Sequence, residues 1–461
     1  MPITGAFMVP HPPLIVPEVG RGGEKQIEKT IRAYERAARE IAVLEPETII
    51  VTSPHAVMYA DWFHISPGSG AAGDLSAFGA PQVAFRETYD TELVRSIADL
   101  AKEKGFPAGT EGEREKKLDH GTMVPLWFIE KHIRDFKLVR IGLSGLPLTD
   151  HYALGQLIRE AVERTGRRAV FVASGDLSHK LQPYGPYGFI KEGPEYDARI
   201  MDVSSRAAFG EMLRFDESFC DKAAECGHRS FVIMAGALDG REVEAEVFSH
   251  EDVTGVGYGI CAFRPGNRSR DREFLRLYQE EERRDLDERR RREDPWARLA
   301  RETVETVVKE GKTPRVPAWV PDEMRAARAG TFVSIHKFGR LRGCIGTFLP
   351  TRENVAAEII ANAVSAAQVD PRFEPIAPEE LPWLEISVDV LSKPEKIGSE
   401  KELDAKKYGV IVTCGNRRGL LLPDLDGVDT VKDQIAIARR KAGIGPGEKV
   451  SLERFEVSRH R

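Results

Sequence analysis

The sequence predicts an α/β N-terminal domain, an open and mostly parallel sheet with helices on both faces, followed by a smaller α+β domain. Three observations support this prediction. The chain has 461 residues, which allows two or three domains. In its first half, short apolar runs alternate with segments of helical periodicity, as they do in parallel sheets whose strands are joined by helices. A highly charged segment, residues 267–294, then separates this half from the remainder.

The N-terminal half begins with an apolar run of strand length. After it, apolar residues recur at positions 27, 31, 34, 38 and 41, which is the spacing of one helix face. The predicted strands are Ile3–Val9, 48–52, 138–143 and 169–173, the predicted helices cover 27–41 and 151–164, and residues 255–259 belong to a strand that ends the domain.

The charged segment contains ten basic and ten acidic side chains. Mixed charges at i,i+4 spacing favour a solvated helical linker, and the zero net charge argues against a nucleic-acid arm. We therefore expect domains at residues 1–266 and 295–461, joined by this linker. In the second domain, Leu384–Leu391 alternates apolar and polar positions like a half-buried antiparallel strand. Further strands are expected at 331–335, 409–413 and 419–422, and helices from about residue 296, at 352–368 and at Val431–Lys441.

The composition is that of a soluble protein and gives no reason to expect a nucleic-acid or membrane partner. Lys and Arg number 67 against 73 Asp and Glu, a net charge of −6. No apolar stretch reaches bilayer length and no signal-like segment opens the sequence, so we expect a cytoplasmic protein. The five cysteines form no C-x-x-C pair, which argues against zinc ribbons, iron–sulfur sites and a disulfide framework.

Three histidines each follow a predicted strand of the N-terminal domain. His11 follows the first, His55 the second and His179 the fourth. Ligands of open α/β sheets bind beyond the carboxyl ends of the strands, so these imidazoles could converge despite their separation in sequence. His120, in Asp-His-Gly, is a fourth candidate. The other histidines have no shared placement and are expected to be structural.

The motifs around these histidines resemble those of the class III extradiol dioxygenase (LigB-like) superfamily, which also contains the Memo-like proteins. They are His-Pro-Pro at 11–13, Ser-Pro-His at 53–55, Asp-His-Gly at 119–121 and Gly-Asp-Leu-Ser-His at 175–179. The resemblance, over about residues 1–265, implies a non-heme iron held by His11, His55 and a third ligand. It also implies His179 as acid/base and His120 in the substrate pocket. Asp176 is expected to accept a hydrogen bond from a histidine and fix its tautomer.

Two adjacent residues compete for the third ligand position. Glu225, in Ala-Glu-Cys-Gly-His, would complete the two-histidine, one-carboxylate triad typical of Fe(II). Dioxygenase members are expected to have Glu near this place, whereas Memo-like members have Cys-Gly, which matches Cys226. Neighbours at a helix start point about 100° apart, so one of them is expected to face the metal, and the sequence leaves both open. Glu favours iron, whereas a thiolate favours softer or redox-active metals such as copper and tolerates iron. Fe(II) is the expected cofactor, and Cu and Zn are the alternatives.

The second domain resembles the AMMECR family over about residues 295–461. The resemblance is carried by Leu-Arg-Gly-Cys-Ile-Gly at 341–346, Asp-Pro-Arg-Phe at 370–373 and Gly-Leu-Leu-Leu-Pro at 419–423. It implies the AmmeMemoRadiSam grouping, in which a LigB-like or Memo-like protein and a radical-SAM protein accompany this domain, so we expect a radical-SAM partner. It implies no reaction for the domain.

Within this motif, Arg342, Cys344 and Arg372 are the reactive or polar side chains that we would test. Gly343 and Gly346 allow close backbone approach. Cys344 is either a nucleophilic or redox thiol or, as we favour, a small apolar residue packed in a strand.

The leading functional hypothesis is a metal-dependent oxidoreductase of the extradiol type that is fused to an AMMECR domain. Its expected substrates are small catechol-like molecules. The alternative is a Memo-like metal-binding or redox module that serves a radical-SAM partner without cleaving rings. A third hypothesis is a zinc-dependent hydrolase with an activated water. The sequence contains neither G-x-x-x-x-G-K-[ST] nor G-x-S-x-G, which disfavours P-loop nucleotide binding and serine hydrolysis.

Overall fold

The computed structural model describes residues 3–113, 117–425 and 427–461. The chain divides into two units, Met1–Gln279 and Glu280–Arg461. The first has a mostly parallel sheet between helices, and the second has antiparallel sheets with helices. The predicted fold class is therefore confirmed. Among the described residues, no helix has both the length and the apolar character that crossing a membrane requires.

The described part of the first unit contains ten strands, and six of them form its central sheet. The strands of this unit are β1 (Ile3–Val9), β2 (Thr48–Ser53), β3 (Phe63–His64), β4 (Gly70–Leu75), β5 (Ala80–Thr88), β6 (Ala108–Gly109), β7 (Lys137–Gly142), β8 (Ala169–Ser174), β9 (Arg241–Glu251) and β10 (Tyr258–Arg268). The sheet order is β7-β2-β8-β1-β10-β9. The pairs from β7 to β1 are parallel, whereas β10 and β9 are added antiparallel. The carboxyl ends of β1, β8 and β2 consequently lie side by side.

Helices cover both faces of this sheet. They are α1 (Pro17–Gly20), α2 (Glu28–Val43), α3 (Thr91–Glu103), α4 (His120–Ile129), α5 (Leu148–Thr165), α6 (Glu192–Ser205), α7 (Glu217–Ala223) and α8 (His228–Ala237), and α9 (Phe274–Arg291) runs across the unit boundary. In β8, Phe171 packs in the same core as residues of α5 and α8. Its neighbours Val170 and Val172 pack in the opposite core, with residues of α2 and α4. This alternation explains why the strand is apolar at every position.

The second unit contains two four-stranded antiparallel sheets. Its strands are β11 (Thr331–Lys337), β12 (Arg340–Gly346), β13 (Leu384–Leu391), β14 (Glu395–Ile397), β15 (Gly409–Cys414), β16 (Arg417–Leu421), β17 (Ser451–Phe455) and β18 (Val457–His460), and its helices are α10 (Pro295–Glu310), α11 (Asp322–Ala326), α12 (Val355–Gln368) and α13 (Val431–Lys441). The orders are β12-β11-β13-β18 and β14-β17-β15-β16. Val304 of α10 and Ile359 of α12 pack against the first sheet, and Ile435 of α13 packs against the second.

The structure differs from the predictions at the start of helix α12 and in the burial of the charged segment, in each case for a local reason. Helix α12 begins at Val355, three residues later than predicted, because Asn354 caps it by accepting a hydrogen bond from Ala357 N. The charged segment is largely helix α9, but Leu275 and Leu286 are buried. This helix is therefore amphipathic and not solvated on every side.

Candidate metal centre

The ends of β1 and β2 bring two of the predicted ligands together. His11 follows β1 and His55 follows β2, and their Nε2 atoms are 3.0 Å apart. Cys226 Sγ is 3.6 Å from His11 Nε2. The ligand atoms of these three side chains all lie within 4.8 Å of one another. The chain thus holds two imidazoles and a thiol in one place at the carboxyl edge of the sheet.

Two glycines allow the thiol to reach this position. A Cβ on Gly175 would lie 2.1 Å from the Cα of Gly227, so the loops after β8 and before α8 touch through their backbones. Asp176 N donates a hydrogen bond to Cys226 Sγ (3.3 Å), and Cys226 N donates one to Asp176 O (3.4 Å). Sequence reasoning gave these glycines no role, although each adjoins a predicted site residue.

Glu225 lies apart from the histidine nitrogens. Its carboxylate accepts a hydrogen bond from His228 N (2.5 Å), and so satisfies one of the unpaired N–H groups at the start of α8. It belongs to neither of the groups of metal-ligating side chains found among the described residues. Of the two candidates that the sequence left open, the structure brings Cys226 next to His11 and directs Glu225 to the helix terminus.

The hydrogen-bond network assigns the proton of His11 to Nδ1. Ser174 Oγ donates to Gly121 O (2.6 Å) and therefore accepts from His11 Nδ1, which is 2.9 Å away. His11 Nε2 is then left with its lone pair, the state that binds metals. Burial, with a contribution from the neighbouring His55, lowers the pKa of His11 to about 3, and burial also lowers the pKa of His55. Ser174 is the last residue of β8 and lies one residue beyond the predicted strand at 169–173, and sequence reasoning assigned it no role.

His11 lies at a distance from both His55 and Cys226 that one shared ion allows. In zinc sites an imidazole nitrogen lies about 2.1 Å from the metal and a thiolate sulfur about 2.3 Å, so two nitrogens can be up to about 4.2 Å apart and a nitrogen and sulfur up to about 4.4 Å. The separations of 3.0 Å and 3.6 Å are within these limits. Burial raises the pKa of the Cys226 thiol, so a cation is needed to convert it to the thiolate that binds metals.

Asp176 and His179 form a second group with the same cysteine. Asp176 Oδ1 accepts a hydrogen bond from the backbone N–H of His11 (2.8 Å). Asp176 is expected from the sequence to bind a histidine ring and fix its tautomer, but this oxygen binds the backbone instead. Asp176 Oδ2 is 3.9 Å from His179 Nε2. That nitrogen is buried and has no hydrogen-bond partner in the part of the chain that the structure describes. Burial lowers the pKa of His179, although Asp176 opposes the shift.

His120 adjoins the two histidine ligands. It is the first residue of α4, whose N-terminus is capped by Asp119 through Thr122 N (3.0 Å). Its ring centroid is 4.0 Å from that of His55 and 5.4 Å from that of His11. Burial and these two imidazoles lower the pKa of His120 to about 3. All four histidines singled out in the sequence therefore lie in one cluster.

In the second unit, the predicted motif surrounds the outer edge of β12. Cys344 N donates to Asp370 Oδ2 (2.8 Å), and Arg372 Nη2 donates to Cys344 O (2.8 Å). These contacts satisfy backbone groups that an edge strand would otherwise expose. Cys344 is half-buried, and its sulfur accepts a hydrogen bond from Ser334 Oγ (3.3 Å).

The remaining motif residues also have packing or pairing roles. Arg342 forms a two-point ion pair with Glu380, at 3.0 Å and 2.8 Å. A Cβ on Gly343 would lie 2.3 Å from Ala366 O of α12, and one on Gly346 would lie 2.3 Å from the Phe332 ring. The glycines therefore allow a helix and an aromatic ring to approach the strand.

Family models match both units. The model described as the catalytic LigB subunit of aromatic ring-opening dioxygenase matches residues 5–261. The AMMECR1 model matches residues 297–460. The chain belongs to the LigB family and carries an AMMECR1 domain. Both resemblances inferred from the sequence are thereby confirmed.

Relatives cover either the whole fusion or one of its parts. A Clostridium acetobutylicum protein is 39% identical over 471 residues, covering 100% of both chains. A Thermotoga maritima protein is 50% identical over 37% of this chain and 98% of its own length. The 2-aminophenol 1,6-dioxygenase beta subunit of a Pseudomonas species is 26% identical over 56% of this chain and 92% of its own length. An uncharacterized Pyrococcus horikoshii structure is 30% identical, covers 36% of this chain and 88% of its own, and has a TM-score of 0.34.

Proposed function

We propose that the LigB-family domain is an Fe(II)-dependent oxidoreductase of the extradiol ring-cleaving type. His11, His55 and Cys226 would hold the metal, and His179 would move the substrate proton. The observation that carries this proposal is the grouping of the three ligand atoms within 4.8 Å beside a buried imidazole. Membership of a family described by ring-opening dioxygenase activity supports the reaction class.

The chain's own residues have separable roles in this reaction. Bound metal would supply Lewis acidity, which lowers the pKa of a coordinated substrate hydroxyl group. His179 is neutral near pH 7 because burial lowers its pKa, so its unpartnered Nε2 can accept the proton. The Asp176 carboxylate, 3.9 Å away, would stabilise the resulting imidazolium. His120, also neutral, would hold the substrate by a hydrogen bond.

The donor set differs from the usual Fe(II) triad because a thiol replaces the carboxylate. Thiolates bind Cu(I) and Zn(II) well, so these two ions compete with iron for this site. Their presence would favour the alternatives of a Memo-like redox module or a hydrolase. The metal found in the protein therefore discriminates among the three hypotheses.

The test combines metal analysis with oxygen consumption. The full-length protein is purified without oxygen, its metals are quantified, and oxygen uptake is followed with catechol and 2-aminophenol. We expect about one iron per chain and substrate-dependent uptake that His179→Ala abolishes while retaining the iron. His132→Ala, a surface variant paired with Glu35, is the control. Bound iron without uptake on either substrate would overturn ring cleavage and favour a metal-binding module that acts with a radical-SAM partner.

A further inference from the structure

The exposed loop at residues 182–189 places an aromatic ring on the imidazole of His179. The loop reads Gln-Pro-Tyr-Gly-Pro-Tyr-Gly-Phe. The Tyr187 and His179 ring centroids are 5.2 Å apart and their planes are 26° from parallel, which is a stacked arrangement. Tyr187 remains 59% exposed. Its ring thus contacts the imidazole from the solvent side.

The loop is fixed at its base. Leu181 N donates to Gly255 O (3.1 Å), and Ile190 N donates to Lys180 O (3.2 Å). Gln182 Nε2 donates to Asp252 Oδ2 (3.0 Å). After Tyr187 the chain turns at Gly188, whose φ of +73° is readily adopted by glycine. The base is therefore anchored on both sides, and the tyrosine is carried on the turn between.

The environment of His179 Nε2 indicates what this ring does. The nitrogen is buried and has no hydrogen-bond partner among the described residues, while the adjacent tyrosine is largely in water. The nearest carboxylate oxygen, on Asp176, is 3.9 Å away and beyond hydrogen-bond distance. Among the residues that the structure describes, no hydrogen bond fixes the plane of the His179 imidazole, whereas the stacked Tyr187 ring is a contact that can do so.

We propose that Tyr187 is a positioning residue that fixes the imidazole plane of His179 and limits access of solvent and reagents to it. The inference rests on the proposed function in one respect, because His179 is the proton-moving group there. Stacked aromatic pairs contribute about 0.5–1.5 kcal/mol beyond buried area, which corresponds to a change of about 2- to 10-fold in an equilibrium.

Neighbouring residues provide a matched control. Tyr184 lies on the same loop and is 72% exposed. Among the described residues its ring stacks on no other aromatic ring, unlike that of Tyr187. Tyr187→Phe keeps the ring and removes the hydroxyl group, whereas Tyr187→Ala removes both.

The test measures acylation of His179 by diethyl pyrocarbonate in the full-length protein. Peptide mass spectrometry gives the His179 rate relative to His132, an imidazole outside the cluster, and the metal content of each sample is matched. We expect Tyr187→Ala to raise the relative rate about 2- to 10-fold. Tyr187→Phe and Tyr184→Ala should leave it unchanged.

An unchanged rate in Tyr187→Ala would overturn the proposal, as would an equal rise in Tyr184→Ala. A rise in Tyr187→Phe matching that in Tyr187→Ala would also overturn it, because the ring would then not be the protecting group. The readout requires no turnover. If the Tyr187 proposal fails, ring cleavage is still decided by the oxygen-uptake test. If no oxygen uptake is found, the acylation result for Tyr187 is unaffected.

Discussion

Adding one methyl group at Gly175 should separate the thiol from the two histidine ligands. The Cβ of Gly175→Ala would meet the Gly227 Cα at 2.1 Å, whereas ordinary contact begins at 3.4 Å. Contacts shorter than 3.0 Å are essentially never adopted by a Cβ, so the loops must move apart by about 0.9 Å to reach that distance and by about 1.3 Å to reach ordinary contact. Both partners are backbone, so a change of side-chain rotamer cannot relieve the overlap.

This movement should weaken both metal binding and the fold, by similar free energies. Misplacing a functional group by about 1 Å can cost about 100-fold, and loss of groups that orient ligands lowers metal affinity about 10- to 100-fold. We therefore expect the metal dissociation constant of Gly175→Ala to rise about 10- to 100-fold. Overpacking should lower the free energy of unfolding of the metal-free protein by about 1–3 kcal/mol.

The assay is a competition titration of the full-length protein against a chelator, with thermal unfolding measured in parallel. Gly23→Ala is the control, because its Cβ would meet only Gln26 Nε2, at 3.9 Å. If Gly175→Ala binds metal as tightly as the wild type, the loop contact does not position Cys226, and the reasoning is refuted.

Three further predictions follow from the same structure. Cys226→Ser should lose the metal, whereas Glu225→Gln should retain it with a loss of stability; metal analysis of both variants decides, and the opposite pattern would restore Glu225 as the ligand. The metal-free protein should lose stability as the pH falls from about 6.5 towards the pKa values of about 3 of His11 and His120. Stability falls with falling pH because the unfolded state binds more protons than the folded state in this range. Unfolding curves measured from pH 4 to pH 8 test this, and a free energy of unfolding that does not change with pH would contradict it. Asp370→Asn should lower the stability of the AMMECR1 domain by about 1–3 kcal/mol, since it weakens the contacts with Arg372 and β12; an unchanged denaturant midpoint would contradict this role.

The sequence revealed the histidine cluster because strand periodicity carries positional information. Apolar runs located β1, β2 and β8, and the parallel arrangement implied that residues after them share one edge. His11 and His55 could therefore be grouped from the sequence, and the structure brings their Nε2 atoms to 3.0 Å. This inference needed only which strands are parallel, not their exact register.

The contacts that position the cluster could not be read in the same way. The choice between Glu225 and Cys226 depends on where α8 begins. The hydrophobic pattern of a sequence locates the start of a helix only to within a few residues. The structure begins it at His228, so both residues precede the helix and their directions follow from loop contacts. The roles of Ser174 and Gly175 could not be predicted from the sequence either, because their partners at the sheet edge are distant in sequence and are brought close only by the tertiary fold.

The AMMECR1 motif shows how a distinctive sequence pattern can arise from edge protection. Asp370 and Arg372 bind the backbone N–H and C=O of Cys344, which blocks addition of another strand at that position. Such a network requires a short acid and a forked base at fixed spacing, and it therefore looks like a catalytic constellation in the sequence. Its charges are paired with backbone and with each other, whereas His179 Nε2 in the LigB-family domain has no partner among the described residues. A proton acceptor requires such an uncommitted lone pair, so we assign the proposed chemistry to the first domain and a structural role to the AMMECR1 motif.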